Sequence, residues 1–86
     1  MNKNFETIDE NELKDFINEC EVRGINPEGF QMVEHDVIKT DLNAVTSIVN
    51  GKVTISRGNH LRTYRTGEST DWLVDFARDL RSGVFG

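Results

Sequence analysis

Leu13, Phe16, Ile17 and Cys20 recur at the three- and four-residue spacing of one helix face, and the chain breaks at Gly24. Thr7 followed by Glu10 has the capping-box spacing, so the pattern predicts a helix from about residue 8 to about residue 23. Ile25-Asn26-Pro27-Glu28-Gly29 then predicts a turn, because Pro27 fixes φ and Gly29 accepts conformations other residues resist.

Phe30 to Lys39 predicts a strand with imperfect alternation. Phe30, Met32 and Ile38 share one face with Glu34 and Asp36, while Val33 and Val37 share the other with His35. A bulge or an edge position accounts for this. Beyond a turn at Thr40-Asp41-Leu42-Asn43, Ala44 to Val49 and Lys52 to Arg57 flank Asn50-Gly51, the pair favoured where both central residues of a two-residue hairpin turn need positive φ. On that reading Ile48 faces Val53 and Thr46 faces Ile55, so Ile48, Val53 and Ile55 form the core side, with Val45, Ser47, Val49, Thr54 and Ser56 on the other. A further turn at Gly58-Asn59 leads into a strand from His60 to Thr66. A two-residue loop there sets Tyr64 beside Val53 and a three-residue loop sets Leu61 there; the pattern leaves both registers open, and with them the side that Arg62 and Arg65 face.

Ser69 or Thr70 is expected to cap a last helix, with Asp71 in its first turn and Arg78 and Arg81 near its end. Trp72, Leu73, Phe76, Ala77 and Leu80 cover about 140° of that helix at ~100° per residue, a broad buried stripe. Gly83 suits the position just past the helix, where Val84 can fold back on the last turn.

The expected fold class is α+β, in the order α-β-β-β-β-α: a four-stranded antiparallel sheet with two helices packed on one face, forming a single compact domain over residues 1–86. Without the second strand the order α-β-β-β-α resembles that of the double-stranded-RNA-binding domain. The likeness is one of order alone, since such a domain presents lysines to phosphates at the start of its last helix, where this chain has Glu68, Asp71 and Asp75.

At 86 residues there is room for one modest core. Hydrophobic content of 36% suits a soluble domain, and no apolar run approaches the ~20 residues of a membrane span. The first residues lack the basic start and apolar block of a secretory signal, and a single cysteine forms no intrachain disulfide, which predicts the cytoplasm. Net charge is −5, unevenly placed: residues 1–46 carry −7 and residues 47–86 carry +2.

No catalytic, metal or cofactor constellation is legible. Consecutive strand residues point to opposite faces, so within Glu34-His35-Asp36 only the two carboxylates would converge, as polar residues on an edge strand. Cys20 belongs to a helical core stripe, no four-ligand zinc set exists, no serine stands in a Gly-x-Ser-x-Gly elbow, and the glycines form no phosphate loop or dinucleotide fingerprint. The expectation is therefore a non-enzymatic, cofactor-free binding or regulatory module, of the economical kind phages and other mobile elements carry as accessory proteins or inhibitors.

Two surfaces carry that expectation. Glu12, Asp15 and Glu19 fall within a ~60° arc of the first helix, opposite the apolar stripe, as a ridge for a protein with a basic surface. The alternative partner is nucleic acid, through Lys52, Arg57, Arg62 and Arg65 on the hairpins with Tyr64 to stack a base. Ordinary solvated faces account for either set. A third reading is homo-oligomerisation through an edge strand or the Val84-Phe85 pair.

Overall fold

The computed structural model describes residues 5–41, 47–67 and 70–86, excluding the side chains of Asp41 and Ser47. The predicted turn and strand residues Leu42 to Thr46, and Glu68 and Ser69, lie outside these described residues.

The first helix, α1, spans Glu10–Val22. Its cap is Asp9, whose carboxylate accepts from Glu12 N at 2.8 Å, while Glu12 Oε1 accepts from Asp9 N at 3.1 Å. This capping box lies two residues beyond the predicted Thr7–Glu10 pair, because Thr7 is engaged elsewhere. At the other end Ile25 N donates to Cys20 O at 2.9 Å and Gly24 N to Glu21 O at 3.0 Å, around a Gly24 φ of 71°. That pair of hydrogen bonds turns the chain and brings Ile25 back onto the core. A single 3-10 turn, Pro27–Gly29, follows.

The described residues form three strands, β1 (Gln31–Asp41), β2 (Ser47–Arg57) and β3 (His60–Gly67), antiparallel in the order β1-β2-β3. The predicted fourth strand and its Asn50-Gly51 turn are thereby corrected. Asn50 and Gly51 lie inside β2, opposite Gly67 and Thr66 of β3, and the order is α-β-β-β-α. Gly51 serves close packing: a Cβ built there would lie 3.1 Å from Thr7 Cγ2 and 3.2 Å from Val37 Cγ2. With β2 running straight through, side-chain parity places Ile48 and Val53 on opposite faces. Ile48 is accordingly half-buried and outside the core, whereas Val53 and Ile55 are wholly buried.

The imperfect alternation of β1 is a bulge on an edge strand. His35 pairs with Lys52 and Ile38 with Asn50, so Asp36 and Val37 together oppose Gly51, and Asp36 takes a φ of 54°. Between β2 and β3 the two-residue loop Gly58-Asn59 sets Arg57 opposite His60 and Val53 opposite Tyr64, which resolves the register left open.

The second helix, α2, spans Trp72–Arg81. Its N-cap position is Asp71, with no side-chain cap bond; Thr70, an expected cap, instead donates to Gly67 O at 2.7 Å. At the C-terminus Val84 N donates to Asp79 O at 3.0 Å and Gly83 N to Leu80 O at 3.3 Å, with Gly83 at φ 79°. Phe85 is thereby folded inward, its ring centroid 5.4 Å from Phe30 and 5.6 Å from Phe76. The expected terminal contact surface at Val84-Phe85 is corrected to a core element, since Phe85 is buried and Val84 packs against the core.

One cluster joins the elements. Phe16 and Cys20 of α1, Trp72, Phe76 and Leu80 of α2, and Met32, Val53, Ile55 and Tyr64 of one sheet face are buried together. Phe16 and Phe76 meet at 4.9 Å between ring centroids, so both helices cover the same side of the sheet. The opposite side carries Val33, Thr54, Thr63 and Leu61 and is open. No helix among the described residues is long and apolar enough to cross a membrane.

Candidate functional site

The acidic residues of α1 do not form a free ridge. Glu12 is fixed at both oxygens, since Oε1 closes the capping box and Oε2 accepts from the buried Trp72 Nε1 at 2.8 Å. It bolts α1 to α2. Asp15 and Glu19 lie further along, on the rim of a groove of about 410 Å³ between the two helices. Asp71 adds a third carboxylate, Leu73, Val74 and Ala77 supply apolar lining, and Arg81 completes the wall. Glu19 pairs with Arg23 at 3.2 Å; Asp15 and Asp71 have no cationic partner among the described residues. Val74 is 49% exposed within this acidic rim. The helical angle that groups Glu12 with Asp15 and Glu19 does not put Glu12 on this groove, and Asp71 and Val74 join it only through the packing of α2 beside α1.

The basic residues separate. Lys52 and Arg65 are direct cross-strand neighbours on the open side of the sheet. Arg57, Arg62 and Tyr64 belong to the helix side by strand parity. Arg57 Nη1 donates to Phe85 O at 2.9 Å with its guanidinium 6.0 Å above the Phe30 ring, a brace for the chain end. Tyr64 is 7% exposed and donates its hydroxyl to Asp79 at 2.7 Å. Burial, then the bond to Asp79 and its charge, pushes the phenol well above its ordinary range. Its ring is a core component rather than a surface stacking platform.

The Glu34-His35-Asp36 run is divided by the bulge, so the expected convergence of its carboxylates is corrected. Glu34 turns toward the N-terminal segment and accepts from Glu6 N at 2.9 Å, Thr7 N at 2.8 Å and the Thr7 hydroxyl. Thr7 Oγ1 also meets Thr66 Oγ1, itself fully buried, at 2.6 Å. Burial alone would raise the Glu34 pKa, but these donors outweigh it and hold the carboxyl below its usual value. Asp36 faces the other way, 3.2 Å from His35 Nδ1 and 3.7 Å from Lys52 Nζ. His35 Nε2 reaches Thr54 Oγ1 at 2.8 Å, which meets Thr63 Oγ1 at 2.9 Å, a polar row across the open face.

Cys20 is wholly buried, and burial followed by the charges of Glu19 and Glu21 pushes its thiol up to about 11. Among the described residues no three His, Cys, Asp or Glu side chains converge as metal ligands would. Comparison with protein-family models, with curated proteins and with solved structures finds no match to this chain.

Proposed function

We propose that this chain is a small non-enzymatic binding module of the cytoplasm that captures a basic protein segment in the groove between its helices. The observation that carries the reading is the combination in one place of an acidic rim, Asp15, Glu19 and Asp71, with apolar lining at Leu73, Val74 and Ala77. A solvated helix face needs carboxylates alone. A groove with both features suits an extended or helical segment that alternates cationic and apolar side chains, the cations accelerating encounter and the apolar residues slowing release. The matching surface on the partner is basic, a complement to the charge of −7 over residues 1–46.

The test is recovery of host proteins by wild type, by an Asp15→Lys/Glu19→Lys/Asp71→Lys variant, and by a control in which Glu10, Glu21 and Glu28 become lysine. At least one protein should be retained by wild type and control and lost by the groove variant. Identical recovery by all three would reject the groove, and equal loss in both variants would assign binding to net charge.

A further inference from the structure

A second groove lies elsewhere. A groove of about 730 Å³ opens at the β1 bulge, lined by Asp36, Val37 and Ile38, by Asn50, Gly51 and Lys52 of β2, and by Arg65, Thr66 and Thr70. This volume falls within the range of small-molecule sites.

Two features here act against stability. Lys52 and Arg65 are like charges directly opposite one another on adjacent strands, where Cβ atoms stand ~5 Å apart and repulsion is greatest. Asp36 holds the left-handed position of the bulge, which glycine occupies at lowest cost. Neither feature contributes to the core, and both border the same cavity. Local departures of this sort, placed together, mark binding sites more often than scattered ones do.

The chemistry of the pair selects the ligand. Arg65 has no carboxylate partner among the described residues, and Lys52 is held only loosely by Asp36 at 3.7 Å, a separation beyond hydrogen-bond length between groups that are both well exposed. Two adjacent cations match a phosphate monoester, whose charge near neutral pH is about −1.5 to −2, better than a single carboxylate. Asn50 and Thr70 add polar lining, and Ile38, 64% exposed and on the same side of the sheet as Lys52, offers apolar surface to the remainder of such a molecule. A polynucleotide would need an array of cations along one face, whereas Arg57 and Arg62 lie on the opposite side of the sheet.

We propose that this groove binds a small organic phosphate monoester, its phosphate between Lys52 and Arg65 and its body against Ile38. Asp36 then competes with the ligand for Lys52 and tunes affinity downward. This site is independent of the interhelical groove.

The experiment is nuclear magnetic resonance titration of the isotopically labelled chain with adenosine 5′-monophosphate, with adenosine as the uncharged control. The nucleotide should give saturable shifts at the Gly51, Lys52 and Thr66 amides, and adenosine none. Lys52→Gln/Arg65→Gln should weaken binding roughly tenfold or more, the scale expected for two charge-assisted bonds. Asp36→Asn, which keeps a side chain tolerant of positive φ, should strengthen it severalfold, and Arg62→Gln on the other face should leave it unchanged. Preserved spectral dispersion in each variant shows that the fold persists. Absence of saturable shifts at these amides, equal binding by the Lys52/Arg65 variant, or equal binding of adenosine overturns the proposal.

Discussion

A Cβ built on Gly51 would lie 3.1 Å from Thr7 Cγ2, so the bare backbone at this point of β2 admits the N-terminal segment to the sheet. Thr7 is then close enough to join the buried Thr66 and the half-buried Glu34 in one hydrogen-bonded group. Gly51→Ala should destabilise by about 1–3 kcal/mol through overpacking, and Thr7→Ser, which removes the opposing methyl but keeps the hydroxyl, should recover part of that loss. Denaturant unfolding of the four species of this cycle measures the coupling. A cost for Gly51→Ala that is the same in both backgrounds contradicts the contact.

Glu34 makes stability depend on acid. Its folded pKa lies below the unfolded value near 4.5, so its contribution is complete above that pH and is lost as pH falls through the folded value. Thermal melts from pH 7 down to pH 2 should show Glu34→Gln with lower stability at neutral pH and a shallower decline in acid than wild type. Parallel declines would mean that Glu34 is not bonded as described.

Strand parity can be read by paired truncations. Phe76, in ring contact with Phe16, Phe30, Trp72, Tyr64 and Phe85, should lose about 3–5 kcal/mol on replacement by alanine. Ile48→Ala, outside the core, should cost less than about 1 kcal/mol. Comparable costs would restore Ile48 to the core face and with it a turn at Asn50-Gly51.

Cys20 should resist thiol reagents. With the side chain wholly buried and its pKa pushed up to about 11, Ellman's reagent at pH 8 should react only on unfolding, at a rate that follows denaturant concentration. Rapid reaction of the native protein would place the thiol at the surface.

What the sequence disclosed was local. The apolar period of α1 and α2, and Gly24 and Gly83 at their ends, are decided within a few residues of chain and emerged as expected. The alternation defect of β1 likewise announced its bulge at Asp36-Val37. Asn50-Gly51 misled because the glycine is required by Thr7, 44 positions away in the chain, while the same dipeptide commonly serves a turn that needs only its neighbours. Glu12 looked solvent-facing for a similar reason: its partner Trp72 is 60 residues distant, and helix angle alone does not reveal a hydrogen bond donated from another helix. Tyr64 joined a basic cluster in sequence because parity was unset until the Gly58-Asn59 loop length was known. The interhelical groove had no sequence signature, since Asp15 and Asp71 become neighbours only through the core that packs beneath them.

The reading of that groove is tested most directly by titrating the labelled protein with a 14-residue peptide of alternating lysine and leucine helical faces, and mapping amide shifts by nuclear magnetic resonance. The account predicts saturable shifts concentrated at Asp15, Glu19, Asp71, Val74 and Ala77, diminished by salt and abolished in the Asp15→Lys/Glu19→Lys/Asp71→Lys variant. Shifts centred instead on Val33, Thr54 and Leu61 of the open sheet face, or none that saturate, would contradict it.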